Sequence, residues 1–351
     1  MSNFASDNVT GISPAIMAAL EQANSGSEMP YGEDTVTRRL TAQVSELFER
    51  DCAVFPVATG SAANSLALAS LVPRYGAVYC HREAHINVDE CGGPEFFTGG
   101  AKLVVLDGPA AKIDAAAVEA AIDGAGDVHR VQPAAISITQ ASELGAVYRP
   151  DEVAALAAVA QRHGLAFHMD GARFANALAS LGCRPAEITW RAGIDVLTLG
   201  ATKNGAMAAE AVIFFSPDKA GDFEYLRKRG GHLFSKMRFV SAQLEAYLTE
   251  DHWLDNARHA NAQAARLAEG LGALPGIRLQ APVQANELFL ALPDPVIKGL
   301  EARGFEFYSW GASGAQQIRL VAAFNTRPED VEAFIAAAAE LTGATAARES
   351  A

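Results

Sequence analysis

From residue 34 to about 215 short apolar runs alternate with stretches of helical period, and no other feature restricts the fold as strongly. The apolar runs are 52–58, 77–80, 101–106, 134–139, 165–169 and 194–199. Between several of them lie helical repeats. Val36, Leu40, Val44, Leu47 and Phe48 share one stripe behind Asp34 or Thr35 as cap, 62–72 follows Thr59-Gly60-Ser61, and PDEVAALAAVAQRH runs from Pro150 to Gly164. Apolar strands bounded by polar turns and separated by helices predict an α/β domain with a mostly parallel sheet, covered on both faces. The run 209–215 follows only a short loop, which suits an antiparallel partner.

After residue 218 the pattern changes. Residues 218–272 read as helices, and NELFLAL, FEFYSW and QQIRLVAAF then alternate with helices over 294–303 and 327–341. This predicts a large α/β domain over 1–250, including the N-terminal segment, and a small C-terminal α+β domain over 251–351. A length of 351 residues suits two domains at roughly 150 residues each.

Charge and cysteine usage narrow the class of function. Lys plus Arg number 28 against 41 Asp plus Glu, a net charge of −13 that repels phosphate backbones and anionic membrane surfaces. Neither nucleic acid nor membrane is an expected partner. Four cysteines (Cys52, Cys80, Cys91, Cys183) are too few for a disulfide scaffold. The N-terminus shows no basic and apolar leader, and no apolar run approaches the ~18 residues of a spanning helix. The expected location is cytoplasmic.

Common nucleotide and hydrolase motifs are absent: there is no G-x-x-x-x-G-K-[ST], no G-x-S-x-G, and no G-x-G-x-x-G after a strand. Polar residues collect instead at strand ends, where open α/β sheets bind their ligands. Asp170 and Arg173 follow 165–169, as a ligand pair or as a helix cap with a surface arginine. Lys203 follows 194–199 in a loop of small residues, suited to imine chemistry or simply solvated. Thr59-Gly60-Ser61 opens a helix, as an anion cradle or as an ordinary cap. Taken together, a phosphate cradle, a carboxylate, an arginine and a loop lysine are what pyridoxal phosphate requires. Cys80, His81, His85 and Cys91 have irregular spacing for zinc, and no metal is expected. His129, His163, His232, His252 and His259 read as surface residues.

At these residues the chain resembles the low-specificity L-threonine aldolases, pyridoxal-phosphate enzymes of fold type I, the aspartate aminotransferase-like fold. The markers, spread over about residues 3–345, are Ser6-Asp7-Asn8-Val9-Thr10, Tyr31-Gly32-Glu33-Asp34, Thr59-Gly60-Ser61 with Asn64, and Ala84-His85-Ile86. Further on come His168-Met169-Asp170-Gly171-Ala172-Arg173, Thr202-Lys203 and Ile318-Arg319-Leu320-Val321.

The resemblance implies cleavage of L-threonine, L-allo-threonine or a related L-β-hydroxy-α-amino acid such as phenylserine to glycine and an aldehyde. By it Lys203 is the Schiff-base lysine, beside Thr202, and Asp170 partners the pyridine nitrogen. Thr59, Gly60 and Ser61 form the phosphate cup, and His85 stacks on the ring and serves as base. Ser6, Arg173 and Arg319 hold the substrate carboxylate, with Tyr31 near the substrate end. Arg238 reaches a neighbouring subunit's phosphate, so a homodimer or homotetramer with shared sites is expected. Many members carry Glu-Asn-Thr-His after the central strand; here the segment is Thr139-Gln140-Ala141-Ser142-Glu143, which places Ser142 where a second histidine would stand. The alternatives are a β-eliminating amino-acid lyase of the same cofactor class and, outside it, a nicotinamide-dependent oxidoreductase or a non-catalytic α/β binding protein.

Overall fold

The computed structural model describes residues 2–311 and 316–349. Its large sheet has seven strands: β1 (Ala53–Val57), β2 (Gly76–His81), β3 (Lys102–Leu106), β4 (Gln132–Thr139), β5 (Ala166–Gly171), β6 (Val196–Gly200) and β7 (Glu210–Phe214). They lie side by side in the order β1-β7-β6-β5-β4-β2-β3. As the short preceding loop suggests, β7 runs antiparallel to both neighbours, while β2 to β6 are parallel to one another.

This order decides where the chemistry collects. Strands parallel to one another end on the same edge of the sheet, and β1, antiparallel to β7, ends there too. The segments after β1, β2, β4, β5 and β6 therefore meet along one edge. Those segments, with the last residues of β4 and β5, hold Thr59–Ser61, His85, Thr139–Glu143, Asp170–Arg173 and Thr202–Lys203.

Helices cover both faces. Helix α1 (Pro14–Ala23) precedes α2 (Thr35–Leu47), which is capped by Asp34: its carboxylate accepts the Thr37 amide at 2.7 Å. The α2 face Val36, Leu40 and Val44 is buried, as the periodicity predicts. Helix α3 (Gly60–Leu71) packs its small residues against the sheet behind the edge. Helix 150–163 ends at Gly164 with φ +65°, the left-handed turn its C-terminal glycine predicts.

A long helix, His252–Gly272, bridges two cores: Trp253 and Ala257 face the large one, Leu267 and Leu271 the small one. The small sheet contains β8 (Arg278–Leu279), β9 (Glu287–Ala291), β10 (Tyr308–Ser309) and β11 (Gln317–Val321) in the antiparallel order β10-β11-β9-β8. Only Tyr308 and Ser309 of FEFYSW pair as a strand. Phe305 and Phe307 instead pack edge-on against Phe334. The N-terminal residues also belong to this layer. Phe4 is buried against Phe334, its amide donates to the Glu306 carbonyl at 2.8 Å, and its carbonyl accepts from Val321. That anchoring leads Ser6, Asp7 and Asn8 back over the edge of the large sheet.

Candidate active site

A cavity of about 390 Å³ lies at that edge. Eight of the residues singled out from the sequence line it: Thr59, Gly60, Ser61, His85, Asp170, Arg173, Thr202 and Lys203. Asn8, Asn64, Thr139, Glu143, Thr198 and Glu210 complete much of its polar surface.

Two close backbone approaches bring the β5 and β6 ends together. A side chain at Gly171 would meet Leu197 Cδ1 at 2.7 Å and the Thr198 carbonyl at 2.8 Å, and one at Gly200 would meet the Ala172 carbonyl at 2.6 Å. Only glycine lets the Asp170 and Lys203 loops pack this tightly. The lysine loop is then pinned from below. Asn204 Nδ2 donates to the Trp253 carbonyl at 2.8 Å and to Tyr247 Oη at 3.0 Å, and Asn256 donates to the Asn204 carbonyl. Lys203 itself has no hydrogen-bond or ion-pair partner among the described residues, so its amine faces the cavity uncommitted.

Asp170 is buried, and both of its carboxylate oxygens are held. Oδ1 accepts the Ala172 amide at 2.9 Å, and Oδ2 accepts Asn64 Nδ2 at 2.8 Å. Asn64 is a junction: it also donates to Glu90 Oε1 at 2.9 Å and accepts from Thr198 Oγ1 at 2.7 Å. His85 Nδ1 lies 2.9 Å from the same Glu90 oxygen. That hydrogen bond raises the imidazole pKa, while burial raises that of Glu90. With Nδ1–H directed at the Glu90 carboxylate, Nε2 keeps its lone pair. Asn64 stood out in the sequence only by its neighbours. Nothing local marked Glu90, because its partners are 26 and 5 residues away.

At the other end of the cavity Thr59 caps α3, its Oγ1 accepting the Ala62 amide at 3.3 Å. A Cβ at Gly60 would meet nothing within 4 Å, so the first turn opens directly onto free space. His232 accepts the Ala58 amide at Nδ1 (3.3 Å) and so steadies this turn. It is half-buried rather than a surface residue, which corrects the sequence expectation.

The arginines are already paired. Arg173 and Arg319 approach Glu287, and Arg173 also grips Asp7; these two buried carboxylates come from opposite ends of the chain. Burial works against the charges of this group. For Asp7 the Arg173 guanidinium outweighs it and the carboxyl is held low, whereas burial pushes Glu287 up. Arg319 donates to the Ala5 carbonyl at 3.0 Å and lies over the Tyr308 and Trp310 rings. Ser6 Oγ caps the turn at Asp7, accepting from the Asn8 amide. Neither Ser6 nor Arg319 lines the cavity of the single chain. Tyr31 is about half exposed beneath the Lys228 ammonium, and Arg238 stacks on Phe239 and reaches the Gly26 carbonyl, both outside the cavity.

The segment after β4 differs from expectation in orientation. Ser142 is fully buried, donates to the Ala110 carbonyl at 2.8 Å and does not line the cavity; Ala141 and Glu143 do.

The donor set fits pyridoxal phosphate: an open helix N-terminus for the phosphate, a buried carboxylate opposite it, and a free amine between. Comparisons with known proteins agree. The sequence model described as Beta-eliminating lyase matches residues 3–293. The chain is 48% identical to the low specificity L-threonine aldolase of Pseudomonas aeruginosa, covering 89% of this chain and 91% of that protein. It is 47% identical to the enzyme of that name from a Pseudomonas species, covering 89% and 90%. A solved structure described as Leishmania major threonine aldolase superposes with a TM-score of 0.92 at 28% identity, over 97% of this chain and 100% of that one. The fold is the fold type I of pyridoxal-phosphate enzymes. Among the described residues no helix is long and apolar enough to cross a membrane.

Proposed function

The chain belongs to the beta-eliminating lyase family and, within it, to the low-specificity L-threonine aldolases, and on that premise we propose that it splits L-threonine, L-allo-threonine or phenylserine-like L-β-hydroxy-α-amino acids into glycine and an aldehyde. The observation that carries this reading is the convergence of Lys203, Asp170 and the Thr59–Ser61 turn on one cavity from three different strand ends. Pyridoxal 5′-phosphate, the cofactor of this enzyme class, supplies an electron sink that lets a bond at Cα break with its electron pair retained.

Thr59, Gly60 and Ser61 would hold the phosphate, Asp170 the protonated ring nitrogen and Lys203 the aldehyde carbon, with Thr202 beside it. Asn64 and the Ala172 amide hold the Asp170 carboxylate in place, one on each oxygen. Arg173, which lines the cavity, orients the substrate carboxylate, with Arg319 and Ser6 assigned to join it from outside the cavity of the single chain, and that orientation selects which Cα bond is aligned to break. His85 takes the β-hydroxyl proton at Nε2, directly or through a water, while Glu90 holds Nδ1. Arg173 follows a strand of the large sheet and Arg319 lies on β11 of the small one, so the two arginines come from the two parts of the chain. Tyr31 and Arg238 serve the site of a second copy in a homodimer or homotetramer, consistent with the exposed Met29, Tyr31 and Tyr225. Four free cysteines suit a reducing cytoplasm.

Incubation with L-threonine or L-phenylserine is expected to give glycine and the matching aldehyde in equal amounts. A 2-oxo acid and ammonia with little aldehyde would mean β-elimination instead.

A further inference from the structure

Glu143 has one carboxyl oxygen fully engaged and the other free. Oε1 accepts the His85 amide at 2.9 Å and Thr139 Oγ1 at 2.7 Å. Oε2 is buried and has no hydrogen-bond partner among the described residues, although Glu143 lines the cavity. Leaving a buried carboxyl oxygen unpaired is costly, and a bound ligand that pairs with it recovers that cost. Because Oε1 already accepts two donors, a proton on this carboxyl belongs on Oε2. Burial pushes the acid up to about 7, so Oε2 is able to donate or accept near neutrality.

A β-hydroxy-α-amino acid has three polar groups. In the reading above, Arg173 and Arg319 take its carboxylate; its amine would lie toward Lys203, the residue that would hold the cofactor. What remains is the β-hydroxyl, and Glu143 lines the cavity next to His85, the proposed base, whose amide it accepts. Ser142 cannot serve there, its hydroxyl being committed to Ala110.

We propose that Glu143 recognises the substrate's β-hydroxyl through Oε2 and thereby selects β-hydroxy amino acids over their deoxy analogues. This rests on the aldolase reading. Proton removal stays with His85; Glu143 supplies a hydrogen bond to the hydroxyl and moves no proton.

The test uses the holoenzyme and compares L-serine with L-alanine, which differ only by the hydroxyl, in rapid-mixing absorbance titrations. Wild type is expected to bind L-serine about tenfold more tightly than L-alanine. Glu143→Leu should erase that preference while binding of L-alanine stays within about threefold, and Glu143→Gln, which keeps a hydrogen-bonding group, should retain most of it. Glu143→Ala serves if the leucine variant does not fold. Equal weakening of both amino acids would reduce Glu143 to a structural role and overturn the proposal. So would an unchanged preference with a shifted absorption band of the resting holoenzyme, which would place the hydrogen bond on the cofactor's ring hydroxyl. If wild type releases no aldehyde from L-threonine, the aldolase reading fails first; if it does and only the serine preference survives Glu143→Leu, the assignment of Glu143 alone fails.

Discussion

Arg173 donates to both oxygens of Asp7, Nε to Oδ2 at 2.8 Å and Nη2 to Oδ1 at 3.0 Å, across 166 residues of sequence. An arginine proposed to meet the substrate carboxylate is thus held in place by an internal one. Two-point pairing fixes the guanidinium plane before anything binds.

Both side chains are nearly inaccessible, and removing Asp7 takes away both of its hydrogen bonds to Arg173, leaving that guanidinium only the Glu287 carboxylate at 3.2 Å. Asp7→Ala is expected to cost about 3–5 kcal/mol of stability, the usual penalty for breaking a buried pair. Urea denaturation with and without the substitution measures it. An unchanged midpoint would show that the pair contributes nothing to the fold.

The Glu90 hydrogen bond raises the His85 pKa above its ordinary 6.5. A raised histidine stabilises the fold fully below 6.5, and that contribution is lost as pH rises through the folded value. Catalysis has the opposite need, since only neutral Nε2 accepts a proton. The acidic limb of kcat/KM should therefore lie above pH 6.5 in wild type and move down in Glu90→Gln. A limb that stays in place would separate His85 from the proton transfer.

Lys203→Ala should abolish turnover and leave no cofactor that borohydride attaches to the protein. Asp170→Asn should retain bound cofactor, because Lys203 and the Thr59–Ser61 turn are untouched and the new amide oxygen can still accept the Ala172 N–H, yet lower kcat by about 10²–10³-fold, the scale seen when a preorganised electrostatic partner is removed. Cofactor absorbance and initial rates on the same samples separate the two effects. Unchanged kcat in Asp170→Asn would remove Asp170 from its assigned place.

Gly171→Ala tests the tight approach of β5 and β6. The new methyl would lie 2.7 Å from Leu197 Cδ1 and 2.8 Å from the Thr198 carbonyl, so strands must shift. Overpacking of this kind costs about 1–3 kcal/mol. Thermal unfolding should show a lower Tm, together with a fall in kcat from the displaced Asp170 loop. An unaltered Tm and rate would mean the strand ends yield freely.

The proposed role of Arg238 requires a second copy of the chain. Sedimentation at assay concentration should show a dimer or larger, and Arg238→Ala should weaken cofactor binding while the oligomer persists. A fully active monomer would rule this arrangement out.

Much of the architecture is legible because its signals are local. Strands β1 to β7 announce themselves as short apolar runs, and the turns after them carry Thr59–Ser61, Asp170 and Lys203 within a few residues. A parallel sheet then gathers those turns on one edge whatever the details of packing. FEFYSW is a counterexample: its apolar run reads as a strand, but Phe305 and Phe307 gain more by packing on Phe334 than by pairing.

By itself the sequence determined the order of strands and helices, the lysine and aspartate at their ends, and the kind of cofactor those residues suit. Tertiary structure alone decided the rest of the site. Asn64 meets Asp170 106 positions away, Asp7 meets Arg173, and the backbone after β4 turns Ser142 into the protein and Glu143 toward the cavity. Periodicity and turn chemistry act over a few residues, whereas hydrogen bonds between distant side chains exist only once the packed core has brought their strands within about 3 Å of each other's donors.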